Sequence, residues 1–147
     1  MTVNCVWEHN GNDTLLYAVD YPGAFTRGES LETAVGKMPR EIASYLKWCG
    51  GTIDGDMKIA IVQEKSSDLD IKDADSDVLF QREKEPLTAE SYERLKELAL
   101  KSAKNFLALY ASVPDKNAVA IAERKTFYGQ VPRSAEEMYQ HTKNVNT

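Results

Sequence analysis

Few side chains in this sequence have both the type and the context for chemistry. His141 stands in Ser134-Ala135-Glu136-Glu137-Met138-Tyr139-Gln140-His141, on a segment patterned as a helix. An imidazole there suits zinc or nickel, but such sites need three or four ligands. The other histidine, His9, sits in the turn-rich run His9-Asn10-Gly11-Asn12-Asp13. A site at His141 would therefore draw its remaining ligands from another chain. Cys5 falls in an apolar strand pattern and Cys49 at a helix end before Gly50-Gly51, where the dipole does not favour a thiolate. Neither pairs with a histidine or with CxxC spacing, so both read as structural thiols. Asp68, Asp70, Asp73, Asp75 and Asp77 offer oxygen atoms, but the run lacks the mid-loop glycine and closing glutamate of an EF-hand loop. It reads as a solvated connector. Gly50, Gly51 and Gly55 have no following P-loop lysine. No catalytic residue emerges, no cofactor is implied, and the expectation is a protein without enzymatic activity.

Composition narrows the class further. The 147 residues are 42% hydrophobic and 28% charged, the balance of a folded, soluble chain. A net charge of -5 disfavours a broad grip on nucleic acid, so direct nucleic-acid binding is not expected. No apolar run approaches the ~20 residues that span a bilayer, and the N-terminal residues lack a signal-peptide pattern. The expected location is the cytoplasm, with no membrane partner.

The positioning elements follow from local signals. Val3–Trp7 and Thr14–Asp20 read as strands joined at Asn10-Gly11, a strong hairpin dipeptide. Pro22-Gly23 suits the centre of a type II turn, Ala24–Arg27 a short third strand, and Gly28 a further turn. Ser30 is placed to cap a helix whose apolar stripe is Leu31, Ala34, Val35, Met38, Ile42, Tyr45 and Leu46. Pro39 within it predicts a kink near Val35-Gly36 or a restart at Pro39. Met57–Gln63 is apolar on both faces, which predicts a central strand covered on both sides or one lying near a second packing layer, and Val78–Arg82 a brief return to the sheet.

After Pro86 the pattern is helical. Thr88 caps a long helix with Tyr92, Leu95, Ala99, Ala103, Phe106, Leu107 and Tyr110 on one stripe, closed by Pro114. Ser134 and Glu137 form a capping-box pattern for a last helix running to Thr147. The expected class is α+β: a β-β-β-α-β domain over 1–83, then a C-terminal helical segment over 84–147. A sheet with one helix behind it leaves an edge or a face open to a protein partner. The helical pair can bury its stripe against the same pair of a second copy, so a homodimer is expected.

Tyr17-x-Val19, Pro22-Gly23, Gly28 and Ser30-Leu31-Glu32-x-Ala34 together resemble the HicB-like antitoxin module over residues ~1–65. That resemblance implies a non-catalytic interaction module that binds and neutralises a HicA-like mRNA interferase, a toxin-type protein partner. The family often carries a separate DNA-binding segment, which gives operon autoregulation as an alternative function. The C-terminal segment is faintly similar to the start of a DinB-like helical bundle, in which a histidine at the place of His141 is one of three metal ligands. This implies, as a further alternative, a partial DinB-like metal-binding protein with a HicB-like accessory domain.

Overall fold

A computed structural model describes residues 1–52, 55–119 and 121–145. The chain divides into two compact units, Met1–Glu85 and Pro86–Thr147. The fold is α+β, with a four-stranded sheet in the first unit.

In that unit β1 (Thr2–Asn10) and β2 (Asp13–Ala18) form an antiparallel hairpin with Asn10 opposite Asp13. The two loop residues are therefore Gly11 and Asn12. Gly11 supplies the positive φ, +57°, at the first central position, as a type II′ turn requires. Tyr21-Pro22-Gly23-Ala24 makes the next turn, closed by Ala24 N–H donating to the Tyr21 carbonyl at 2.9 Å with Gly23 at φ +93°. This is the turn that Pro22-Gly23 predicts. β3 (Phe25–Gly28) then pairs antiparallel with β2.

Gly28 has a reason other than turning. Its φ is ordinary, but a Cβ there would lie 2.9 Å from both the Ala34 nitrogen and the Ser30 oxygen. The first turn of α1 (Leu31–Cys49) is thus seated against the end of β3, and only a glycine leaves the room. Ser30 Oγ accepts the Thr33 amide at 3.1 Å, completing the cap. Thr26 Oγ1 donates to the Ala34 carbonyl at 2.8 Å, a second tie between β3 and the helix start. The helix runs without a restart through Pro39, which is exposed, so water can serve the carbonyl its missing N–H frees. Gly50, at φ +89°, ends it.

The helix packs on one face of the sheet. Val3, Cys5, Leu16, Ala18, Ala24, Ala34, Met38 and Ile42 are buried together there, with Trp7, Tyr45, Leu46 and Ile59 around them. Burial pushes the Cys5 thiol up to about 11, as expected of a core thiol, while Cys49 is exposed.

β4 (Lys58–Ser66) is an edge strand, parallel to β1 in the order β3-β2-β1-β4. This corrects the central one of the two placements its apolar faces suggested. The pairing passes from Cys5–Ile61 to Val6–Gln63, so Val62 is an extra residue, a bulge. The bulge resets the alternation: Ile59 and Ile61 pair on the helix side, whereas Val62 is 57% exposed. Ala60 faces the other side before the bulge, and past it the strand turns polar at Gln63, Glu64 and Lys65.

The aspartate-rich segment is a covering layer and not a free connector. It leaves β4 with the Ser67 amide donating to the His9 carbonyl and makes a 3-10 turn at Ile71–Asp73 against β2 and β1. Ile71 is 1% exposed. Residues 78–80 add no strand; Gln81–Lys84 form a second 3-10 turn. Gln63 fastens this stretch, donating to the Leu79 carbonyl at 3.0 Å and accepting the Gln81 amide at 2.9 Å.

In the second unit α2 (Ala89–Ser112) is capped by Thr88, whose Oγ1 accepts the Ser91 amide at 3.1 Å. β5 (Lys125–Thr126) and β6 (Gly129–Gln130) form a small antiparallel hairpin. α3 (Ala135–Val145) opens on the predicted capping box: Ser134 Oγ accepts the Glu137 amide and Glu137 Oε2 accepts the Ser134 amide, both at 3.2 Å. Its expected continuation over 146–147 lies outside the described residues. Tyr110 and Tyr139 stack at 4.5 Å, joining the end of α2 to α3.

Candidate functional site

His141 is exposed on α3. Among the described residues no group of three or more His, Cys, Asp or Glu side chains is gathered so as to hold a metal ion. His9 stands in β1, not in the hairpin loop where the sequence placed it. Its ring stacks on Trp7 at 4.2 Å, and its Nε2 lies 3.2 Å from Glu64 Oε1. An ionised carboxylate only accepts, so Nε2 carries the proton in that pair. Trp7 Nε1 donates to Thr14 Oγ1 at 3.2 Å, which leaves this corner a packed polar edge of the helix-side core.

The more unusual chemistry is on the opposite face. Alternation along β1 and β2 places Val6, Glu8, Leu15 and Tyr17 there, away from α1. Glu8 is 0% exposed. No lysine or arginine forms an ion pair with it among the described residues. Its carboxylate is held instead by the covering segment: Ser76 Oγ donates to Oε2 at 2.5 Å and the Asp77 amide approaches Oε1 at 3.3 Å. Tyr17 Oη donates to Ser76 Oγ at 2.8 Å. Burial raises the Tyr17 hydroxyl above its ordinary pKa, and the nearby Glu8 charge adds to the rise, so it stays a donor. Lys65, opposite Glu8 on β4, pairs with the Asp77 carboxylate and holds that carboxyl below its usual range.

Beside this cluster the Tyr17 ring meets Phe25 at 6.0 Å and Phe80 at 5.6 Å. Phe25 is 45% exposed. The Tyr17–Ser76 hydrogen bond sets this aromatic cluster beside the stretch that carries Asp75 and Asp77; Asp77 pairs with Lys65, and Asp75 takes part in no ion pair among the described residues. Such a surface suits contact with a basic protein, through cation–π and carboxylate pairing.

The second unit offers a cleft lined by Glu123, Gln130, Val131, Pro132, Arg133 and Glu137. Its polar groups engage one another: Gln130 Nε2 donates to Glu123 at 2.6 Å, and Arg133 Nε to the Ile121 carbonyl at 3.2 Å. Tyr110 donates to Glu136, which raises the phenol and lowers the carboxyl, again a closed pair.

Sequence reasoning passed over Glu8 and Ser76. Glu8 falls on the alternation Thr2-Asn4-Val6, which is mostly polar and reads as a solvent face, so its burial had no local signal. Ser76 had none either, since only the tertiary fold brings it to Glu8. Comparison with family models, curated proteins and solved structures finds no match for this chain. No helix among the described residues is long and apolar enough to cross a membrane.

Proposed function

We propose that this chain is a cytoplasmic, non-catalytic protein-interaction module of the HicB type, whose partner is a small basic protein of the HicA-like mRNA-cleaving class. The observation that carries this reading is the aromatic corner of the half-buried Tyr17 and Phe80 with the exposed Phe25, beside carboxylates of the covering segment, on a unit whose elements follow in the order β-β-β-α-β. Acidic and aromatic side chains on one surface complement a basic RNA-cleaving protein, and masking that protein's cationic surface blocks RNA from it. The net charge of -5 favours the same encounter. The test is co-expression and tagged purification of the full chain. The expected result is a small basic protein held stoichiometrically, with its RNA cleavage suppressed in the complex and restored on separation. A chain that purifies alone, or with a partner that lacks RNA cleavage, removes the antitoxin reading.

A further inference from the structure

The segment over residues 67–80 differs in its attachment from everything else in the first unit. α1 is fixed by a cluster of buried apolar side chains, whereas this segment contributes a single buried apolar residue, Ile71. Its other ties are polar and mostly at the surface. Asn10 Nδ2 donates to the Leu69 carbonyl at 3.0 Å, Arg27 Nη1 to the Lys72 carbonyl at 3.0 Å, and Lys65 pairs with Asp77. None of these is a strand ladder. Ala74, which ends the 3-10 turn, stands at φ +64°, the left-handed region that a Cβ disfavours. The backbone is thus strained at the middle of the segment and relaxes if the segment lifts.

Against this loose attachment stands one costly group. The Glu8 carboxylate is fully buried, and its partners are the Ser76 hydroxyl and the Asp77 amide, both on the covering segment. An ionised group in that position is tolerated while those donors are in place and disfavours the closed state when they are lost. Lifting the segment returns Glu8 to water and uncovers the Val6, Leu15 and Tyr17 face, so the buried charge lowers the barrier to opening that Ile71 raises.

We propose that residues 67–80 are a strap that opens from the sheet as a unit while β1–β4 and α1 stay folded, and that the Ser76 hydroxyl between Glu8 and Tyr17 is the clasp that sets how often it opens. The strap is the resident occupant of that sheet face. This does not depend on the identity of any partner.

Native-state amide hydrogen exchange on the full chain tests it. The strap amides of Ile71, Ala74 and Asp77 are compared with those of β1 and β2. In the unaltered protein the strap amides exchange faster. Ser76→Ala accelerates them by roughly tenfold or more, the size expected for a lost hydrogen bond to a buried charge, and leaves β1 and β2 unchanged. Tyr17→Phe removes only the outer bond of the clasp and gives a smaller acceleration of the same amides. Exchange of strap and sheet at one common rate, or strap amides indifferent to Ser76→Ala, overturns the proposal.

Discussion

The two units of the chain fold on different terms. Every fully buried apolar side chain of the described residues lies in Met1–Glu85: Val3, Val6, Leu15, Leu16, Met38, Ile42 and Ile71 among them. Among the described residues of Pro86–Thr147 the buried ones are the polar Thr126 and Ser134, and neither α2 nor α3 has a buried residue. The first unit is organised by side chains removed from water. The second is organised by caps, a capping box, a tyrosine stack and short hydrogen bonds. Near room temperature burial is the dominant favourable term in folding. The first unit therefore carries most of the cooperative stability of the chain, and interaction chemistry can be spent on its surface without loss of the scaffold.

Core truncation is the strongest way to break that contrast. Ile42→Ala should cost the first unit about 2–5 kcal/mol in denaturant unfolding, because Ile42 is fully enclosed by the sheet and its own helix. Leu109→Ala, on the exposed side of α2, should stay within about 0.5 kcal/mol. Equal losses would mean that the second unit hides a core of its own. A smaller effect is expected at Gly28→Ala, about 1–3 kcal/mol, since the new methyl meets backbone atoms of the α1 start that cannot move aside alone. Gly36→Ala, with open space around it, should be neutral or slightly stabilising, and the pair isolates close approach from helix propensity.

The smallest effect concerns the strap and acid. Lys65 holds the Asp77 carboxyl below its ordinary value of 3.8. A depressed carboxyl contributes stability above its unfolded pKa and loses it as pH falls through the folded one. Strap resonances should therefore move toward open positions as pH falls below about 4, with Asp77→Asn abolishing the dependence on Lys65. Glu8 and Tyr17 face the same cluster and must be followed in the same titration. Resonances of β1 and β2 that moved in step with the strap would show one cooperative unit instead of two layers.

What could be read from the sequence was local. The Ser30 cap, the Pro22-Gly23 turn, the Ser134–Glu137 box and the α1 stripe each depend on residues within a few positions of one another, and each stands where the pattern put it. The strand Met57–Gln63 was found, but its place at the sheet edge depends on pairing with the distant β1, which no local pattern records. The aspartate run was taken for solvent-facing chain because its charges outnumber its two apolar residues. A single Ile71 suffices to dock it, and pattern counting gives no weight to one residue. Glu8 and Ser76 are 68 positions apart, and their meeting is a product of topology. His9 was assigned to a turn for lack of any signal that β1 extends to Asn10.

The bulge at Val62 has a consequence for how the molecule behaves in crowded solution. An edge strand of nine residues is normally an invitation to stack copies edge to edge. Here the extra residue kinks the rim at its midpoint, and Lys58 and Lys65 stand on either side of the kink. A second copy laid antiparallel about Ile61, with residues matched by face, would bring Lys58 of one opposite Lys65 of the other. The rim thus refuses its own likeness. Stacking of copies through this edge is therefore disfavoured, where a straight and uncharged rim would seed fibres.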